Sequence, residues 1–271
     1  MTHVTRKQFL GGGAALAALV ALGGRPARAD QLDDIMRARK IRVATDLAIP
    51  PSGMMSPQME PIGSDVEVAR LLAKDWGLEL EFVQTTGATR IPNLQTNKAD
   101  IIISTLSVTP ERARVIAFSK PYAALQSVVG GARDLPVKGL ADLRGRAVTV
   151  TRGTTQDTEL TGLAREHNFR VVRYDDDATM VTAAVSGQAE MVATSATIVA
   201  QIGQRIPARN FEPKFVLRNF DLAMGLRQGE TALMEKVNAW IDENIRNGKL
   251  NAIYKKYHGA ELPEHMRGAG A

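Results

Sequence analysis

The same order of secondary structure is predicted twice along this chain of 271 residues. Runs rich in Val, Ile and Leu alternate with segments whose apolar residues recur at helical spacing. We predict strands at residues 41–45, 78–83, 99–103, 147–150, 170–174 and 190–193. We predict helices at residues 65–76, at 91–97, from 155 onward, at 178–186 and at 197–203. Strands that alternate with helices in this way build α/β units, so the chain is predicted to contain two α/β halves.

The last part of the chain returns to the same kind of pattern. A further strand is predicted at 222–226, and two helices are predicted over 233–256 with Gly248 between them. Gly259 is placed to end the second helix, because glycine readily adopts the left-handed conformation that follows a helix. Residues 266–271 are predicted to form a disordered tail.

The first 29 residues have the three parts of a secretory signal peptide. Arg6 and Lys7 form a basic start, an Ala/Gly/Leu run covers residues 10–24, and Ala27-Arg28-Ala29 has the small-x-small pattern of a cleavage site. The apolar run is too short for a good membrane span. We therefore expect export by a Tat-like or Sec route, the alternative being an amphipathic N-terminal helix of a cytosolic protein.

Composition excludes several classes of function. The formal net charge is +5, but residues 1–29 carry four Lys or Arg and no Asp or Glu, which leaves +1 for the rest. Because no Lys/Arg run occurs there, we expect no nucleic-acid partner. The absence of cysteine excludes disulfides, thiol nucleophiles and Cys-rich metal sites. No later segment has the roughly 18 consecutive apolar residues of a membrane-spanning helix.

Two α/β halves are expected to hold a ligand cleft between them. Open α/β sheets bind ligands at the carboxyl ends of their strands. The loops of interest therefore follow Thr45, Ser104, Thr151 and Thr194.

The loop after the strand at 99–103 combines hydroxyl groups with an arginine. Its hydroxyl residues are Ser104, Thr105, Ser107 and Thr109. Thr109 is a predicted helix N-cap, which puts Arg112 in the first turn, where the helix dipole disfavours a cation. An arginine there would hold a carboxylate with two parallel hydrogen bonds. The alternative is a surface arginine paired with Glu111 or solvated.

The second half has a comparable loop after Thr151. Gly153 permits a tight turn, and Thr154 and Thr155 precede a helix whose first N–H groups would donate to an anion. The alternative is simple N-capping. In the first half, Arg90 precedes the helix at 91–97, where it would contact a second acidic or polar group of the ligand or lie on the surface.

Enzyme signatures are missing from the sequence. The four histidines are not spaced as metal ligands, and neither a nucleophile elbow nor a phosphate-binding loop occurs. Asp175-Asp176-Asp177 is typical of a helix cap and a solvated turn, although one carboxylate could reach the cleft. We therefore expect no metal, no cofactor and no catalytic residue.

Several segments, taken in order, resemble the family 3 extracellular solute-binding proteins of amino-acid ABC importers. The resemblance covers about residues 39–260. The matching segments are Lys40–Asp46 with Pro50-Pro51, Gly63–Ala69, Arg90–Asp100, Thr109–Arg112, Phe118-Ser119, Pro121-Tyr122, Gly153–Gln156 and Asn247–Gly259.

The resemblance implies an α/β fold of the periplasmic-binding-protein type II, with two α/β lobes joined by a two-strand hinge and a ligand cleft between them. Lobe 1 would combine residues 30–130 and 219–265, and lobe 2 would be residues 131–218. The resemblance also implies a monomeric periplasmic protein that closes on an amino acid, acidic or polar, or on a related small carboxylate. It would deliver this ligand to an inner-membrane ABC permease.

The resemblance assigns roles to particular residues. Arg112 would bind the α-carboxylate of the ligand, helped by hydroxyl groups of the two loops. Arg90 matches the position where relatives that prefer acidic amino acids have an arginine that contacts the ligand side chain. The other expected ligand-binding residues are Thr105, Ser107, Thr154, Thr155, Asp46, Asp157 and Ser195.

Two positions depart from the family pattern. Many relatives have a stacking aromatic residue where this chain has Ser52, and an aspartate that binds the α-ammonium where it has Ser195. An unpaired buried ammonium is costly. Either another carboxylate, Asp157 or Asp175, replaces that aspartate, or the ligand is not a standard α-amino acid.

Two other functions are open alternatives. A few proteins that resemble this family are periplasmic dehydratases of small carboxylates such as prephenate or arogenate. That chemistry needs an acid in the cleft, and the candidates are Glu60, Asp157 and Asp175. The other alternative is a ligand sensor that docks on a receptor.

Overall fold

The computed structural model describes residues 31–267. The predicted signal peptide and the last four residues of the predicted tail lie outside this range. The helices are α1 (Gln31–Ala38), α2 (Ser64–Trp76), α3 (Arg90–Gln95), α4 (Pro110–Ala113), α5 (Thr155–His167), α6 (Asp177–Ser186), α7 (Ala196–Arg205), α8 (Thr231–Arg246), α9 (Lys249–His258) and α10 (Glu264–Arg267). The strands are β1 (Lys40–Thr45), β2 (Met54–Met55), β3 (Pro61–Ile62), β4 (Glu79–Gln84), β5 (Ile101–Ile102), β6 (Ala117–Ala132), β7 (Ala147–Thr151), β8 (Arg170–Tyr174), β9 (Met191–Ser195) and β10 (Phe211–Leu226).

Eight strands form one sheet in the order β4-β1-β5-β10-β6-β9-β7-β8. At one end, β4, β1 and β5 are parallel, and at the other end β9, β7 and β8 are parallel. The central strands β6 and β10 are 16 residues long and pair with each other in antiparallel fashion. The two predicted α/β halves are therefore lobes joined by two long strands, which confirms the predicted fold class. The residue boundaries proposed for the lobes stay a prediction.

Each lobe buries apolar side chains on both faces of its part of the sheet, as parallel strands require. In the first lobe, α2, α8 and β1 enclose a cluster that includes Ile41, Leu72 and Trp240. In the second lobe, one cluster lies under α6 and α7, and another lies under α5. Each fully buried Leu or Ile contributes roughly 1.5–3 kcal/mol. These separate cores allow each lobe to act as a unit.

The two hinge strands were incompletely predicted from the sequence pattern. Only residues 222–226 of β10 were predicted as strand, and β6 was not predicted. Both strands leave the core of one lobe, cross an exposed middle section and enter the core of the other, so their burial does not follow one period.

The C-terminal segment differs from the sequence prediction. Residues 266 and 267 belong to α10, although a disordered tail was predicted from 266 onward. The reason is that Met266 is buried against the core of the first lobe. Gly259 does end α9 in the left-handed conformation, as predicted. Across residues 31–267, none of the helices has the length and apolar character needed to cross a membrane.

Candidate functional site

The loops that follow β1, β5, β7 and β9 meet between the two lobes. They enclose an inner cavity of about 30 Å³. Its polar lining from the first lobe is Arg90, Thr105, Ser107 and Arg112. Its polar lining from the second lobe is Thr154, Thr155, Gln156, Asp177, Thr194 and Ser195. The cleft thus lies at the carboxyl ends of the strands, where α/β sheets bind ligands.

Two larger spaces adjoin the inner cavity. An outer groove of about 720 Å³ shares Arg112 and Thr155 with it, and a rear cavity of about 120 Å³ shares Thr105 and Ser195 with it. The inner cavity has room for about one water molecule, which needs at least 10–15 Å³. An amino acid therefore requires the lobes to open for entry and the lining side chains to adjust.

Arg112 is the positively charged group between the inner cavity and the outer groove. Thr109 caps α4 by accepting a hydrogen bond from the Arg112 N–H, as predicted. The guanidinium donates from Nη1 to the carbonyl oxygen of Ser107 at 3.0 Å and from Nη2 to that of Gly153 at 3.2 Å. Burial, and next the charge of Arg90, lowers the pKa of Arg112 to about 9. No ion pair with Glu111 is present in the described part of the chain, so an anion is the missing complement of this cation.

The N-terminus of α5 faces Arg112 from the other lobe. Thr154 caps this 13-residue helix by accepting a hydrogen bond from the N–H of Asp157. Thr155 and Gln156 are the first two helical residues, and N–H groups at these positions have no acceptor within a helix. The helix dipole adds a partial positive charge there. Arg112 and α5 together therefore form two sides of an anion site.

Arg90 is 4% exposed, which excludes the surface alternative. Its Nη1 donates to the carbonyl oxygens of Ser104 and Thr105, and its Nε donates to that of Gly87 at 3.4 Å. Burial lowers the pKa of Arg90, although nearby carboxylates, first that of Asp46, oppose this shift. Among the hydrogen bonds of residues 31–267, none is donated by Nη2, which is left for a ligand group.

A buried network holds the Thr105 loop in place. Thr105 has a left-handed backbone with φ of 45°, and both its N–H and its hydroxyl donate to Oδ2 of Asp65, at 2.8 and 2.9 Å. The hydroxyl of Tyr122 donates to the other carboxylate oxygen at 2.7 Å. Thr105 can therefore offer a ligand only its oxygen lone pairs. Sequence reasoning missed Asp65, since an acidic residue in the first turn of a helix is also typical of a simple dipole interaction.

Asp46 lies behind the inner cavity and does not line it. Its N–H donates to Oγ of Ser104 at 2.9 Å, and its Oδ1 accepts from the N–H of Ala48 at 2.9 Å. Burial raises the pKa of Asp46, and the charge of Arg90 opposes this effect. Asp46 therefore influences the cavity through its charge.

Other carboxylates named from the sequence are engaged outside the cavity. Asp157 pairs with Arg173 at 2.7 Å and accepts a hydrogen bond from the N–H of Gly153, so it supports the loop from behind. The Asp175 side chain is 84% exposed and pairs with Arg152. Glu60 is exposed. None of these three lines the cavity.

Ser195 does line the cavity, and its hydroxyl caps α7 by accepting a hydrogen bond from the N–H of Ile198 at 3.2 Å. Position 195 therefore presents a short hydroxyl group to the cavity and no carboxylate.

Asp177 is the carboxylate that reaches the cavity, and the sequence analysis did not single it out. It is the first residue of α6 and is 3% exposed. Burial, and next the negative charge of Asp46, raises the pKa of Asp177 to about 7. A sequence signal was present in the run of three aspartates, since only Asp176 is needed as the N-cap and the next residue turns inward.

The lobes touch through their backbones at two glycines. A Cβ atom on Gly87 would lie 2.8 Å from the carbonyl oxygen of Arg152, and one on Gly153 would lie 2.7 Å from the Cα of Ala88. Only glycine allows such an approach, so the structure represents a closed arrangement of the cleft.

In residues 31–267, no group of three or more His, Asp or Glu side chains is placed to hold a metal ion.

A sequence profile described as bacterial extracellular solute-binding proteins, family 3, matches residues 41–260. The chain belongs to this family. The histidine-binding periplasmic protein of Salmonella typhimurium is 30% identical to this family 3 protein over 234 residues, which is 81% of this chain and 87% of that one.

Solved structures of similar proteins have the same fold. A mutant of ArgBP from T. maritima is 28% identical, with a TM-score of 0.78 over 85% of this chain and 100% of that one. An ancestral amino acid-binding protein, described as a precursor of cyclohexadienyl dehydratase, is 29% identical, with a TM-score of 0.75 over 83% of this chain and 98% of that one. This chain is therefore a family 3 solute-binding protein with the two-lobed fold of its relatives.

Proposed function

We propose that this chain is the periplasmic amino-acid-binding component of an ABC importer. The observation that supports this most directly is Arg112, a half-buried cation that has no ion pair within residues 31–267 and faces the N-terminus of α5 across the cleft. The names of the relatives, which bind histidine or other amino acids, agree with it. The predicted export signal also agrees with a periplasmic location.

The α-carboxylate of the ligand would lie between Arg112 and the free N–H groups at Thr155 and Gln156. Each oxygen would accept charge-assisted hydrogen bonds, which are about twice as strong as neutral ones. Ser107 lines the same cavity and would add a polar contact, whereas the hydroxyl of Thr154 already donates to the carbonyl oxygen of Thr151 at 2.7 Å. Arg112 would then give up its bond to the Gly153 carbonyl, or share it, when the ligand binds.

The side chain of the ligand would be acidic or polar. Nη2 of Arg90 is the donor available for it, because the other nitrogens of this guanidinium already donate to backbone carbonyls. Asp46 offsets part of the charge of Arg90. A neutral polar side chain would therefore suit the site as well as an acidic one does.

Transport would depend on movement about β6 and β10. A ligand that contacts both lobes binds the closed state better than the open state, so it shifts the population toward closure. The inner-membrane permease would recognise this closed, monomeric form and open it.

The test is a thermal-shift screen of protein that has been refolded to remove carried-over ligand. The panel would contain the standard amino acids, dicarboxylates and opines, followed by isothermal titration of each hit. At a hundredfold excess over Kd, a ligand stabilises the folded state by about 2.7 kcal/mol. Stabilisation by one or more amino acids without turnover supports the proposal. No stabilisation by any member of the panel contradicts it.

A dehydratase is the second candidate, because of one observation. Asp177 is an acid in the cleft with a pKa of about 7, and an acid of this kind is suited to proton transfer. The similarity to a precursor of cyclohexadienyl dehydratase gives this candidate additional weight. Incubation with prephenate and arogenate, followed by mass spectrometry, distinguishes the two functions, since only an enzyme forms the dehydrated product.

A further inference from the structure

Asp177 is an acidic residue that the fold buries without an ion pair in residues 31–267. Its side chain lines the inner cavity and is 3% exposed. The neighbouring acids Asp157 and Asp175 pair with arginines, whereas the ion pairs of residues 31–267 include none to Asp177. A buried carboxylate without a cation is costly, so a cationic group is missing from this part of the cavity.

The start of α6 does not require this carboxylate. Asp176 is the N-cap, and its side chain accepts a hydrogen bond from the N–H of Thr179 at 2.7 Å. The hydroxyl of Thr151 hydrogen-bonds the Asp177 side chain, and it is neutral. A structural role as a helix cap therefore does not account for Asp177.

The charges around Asp177 come from several elements. Asp46 after β1 and Asp176 on the same turn are negative and raise the pKa of Asp177. Arg90 on α3 is positive and lowers the pKa of Asp177, but Asp46 and Asp65 also act on this one guanidinium. The region near Asp177 therefore has more carboxylates than cations.

Ser195 and Asp177 lie at the starts of neighbouring helices, α7 and α6, and both line the inner cavity. Arg112 lines the same cavity from the other lobe. Besides Arg90, this small cavity thus contains the cation Arg112 on one lobe and the carboxylate Asp177 on the other, a charge pattern that complements a zwitterion.

On the basis of the proposed function, we propose that Asp177 binds the α-ammonium group of the ligand, in place of the carboxylate that this chain lacks at Ser195. Arg112 then holds the α-carboxylate and Asp177 holds the α-ammonium, each from a different lobe. Ligand binding connects the lobes through one zwitterion, so Asp177 determines that the ligand is an α-amino acid.

The experiment compares amino acids with analogues that lack only the amine. L-glutamate with glutarate, L-glutamine with glutaramate, and L-histidine with imidazolepropionate form matched pairs for isothermal titration. Wild-type protein should bind the amino form of its ligand at least about 30-fold more tightly. Asp177→Asn should lose this preference while its affinity for the analogue changes little. Asp175→Asn, which removes the same charge two residues away on the surface, should behave as wild type.

A carboxylate moved to the neighbouring helix start provides a second test. The double variant Asp177→Ser with Ser195→Asp should restore the preference for the amine, because aspartate also caps helices well. If Asp177→Asn weakens both members of a pair equally, or if the double variant shows no preference for the amine, the assignment of Asp177 is overturned. If the wild type binds none of the amino acids, the proposed function itself fails.

Discussion

The guanidinium of Arg112, in the first lobe, donates a hydrogen bond of 3.2 Å across the cleft to the carbonyl oxygen of Gly153, in the second. The same group donates to Ser107 in its own lobe. Arg112 is therefore both a ligand-binding candidate and a contact between the lobes.

Arg112→Ala should weaken amino-acid binding by about 2–5 kcal/mol, because a buried charge-assisted contact is lost. Arg112→Lys should also bind poorly, since lysine keeps the charge but cannot donate two parallel hydrogen bonds. Isothermal titration measures both variants. Arg114→Ala, two residues away and exposed, is the matched control and should bind as wild type does. Unchanged affinity in Arg112→Ala would show that the carboxylate binds elsewhere.

Gly87→Ala should impair closure without impairing folding. The added Cβ would meet the carbonyl oxygen of Arg152 at 2.8 Å only when the lobes are together. Overpacking of this kind costs about 1–3 kcal/mol, so the ligand Kd should rise roughly tenfold.

The melting temperature of ligand-free Gly87→Ala should stay near that of wild type, and small-angle scattering should show a more open liganded form. Gly162→Ala is the matched control, because a Cβ there would point into open space. Equal closure of Gly87→Ala and wild type would contradict the close backbone contact.

Amino-acid affinity should depend on pH near neutrality. The pKa of Asp177 is about 7 in the closed cleft, because burial and Asp46 both disfavour its charged form. Only the deprotonated carboxylate attracts an ammonium, so affinity should fall as pH drops below 7, approaching about tenfold per pH unit. Binding near pH 7 should release a proton, which titration in buffers of different ionisation enthalpy detects.

Asp177→Asn should remove both the proton release and the change in affinity. Asp46 also has a raised pKa, so Asp46→Asn tests whether it contributes to the same titration. A constant affinity between about pH 5 and about pH 8 in the wild type would contradict a role for Asp177 in binding the amine.

Protein stability should fall in acid because of His258. Its ring stacks on Tyr254 with centroids 4.5 Å apart, and its Nε2 lies 3.0 Å from Oγ of Ser64. Burial lowers the pKa of His258 from 6.5 to about 4. Between these values the unfolded chain binds more protons than the folded one, so stability is lost as pH falls from 6.5 toward 4.

The expected loss amounts to about 1.4 kcal/mol per pH unit and about 3 kcal/mol in total. Chemical denaturation at several pH values should show this slope, and it should be smaller in His258→Gln. His265→Gln removes a more exposed histidine and serves as the control. An unchanged slope in His258→Gln would assign the acid sensitivity to other groups.

Local patterns predicted most of the regular elements well. The bounds of β8 match the predicted strand at 170–174, and α2 starts one residue before the predicted helix and ends at the same tryptophan. Thr109 was predicted as an N-cap and is one. These features depend on neighbouring residues alone, since caps and apolar periodicity are local.

Features that depend on distant parts of the chain were missed. The hinge strand β6 was not predicted, because each of its ends packs against a different lobe. Asp65 was not recognised, because its partners Thr105 and Tyr122 lie 40 and 57 residues away. Sequence spacing contains no information on such contacts.

In the candidate site, Arg112 was predicted from the sequence, whereas Asp177 was identified only from the tertiary structure. The sequence by itself determined the α/β halves, the loops that meet in the cleft and the choice of Arg112, because each follows from local pattern or from the family's ordered segments. Tertiary structure decided which carboxylate accompanies Arg112. In the second lobe, Asp157 and Asp175 form ion pairs with arginines. Asp177 lines the cavity and has no ion pair in residues 31–267. The physical reason is that pairing and burial depend on which groups the fold brings together, and three adjacent aspartates have the same local preferences.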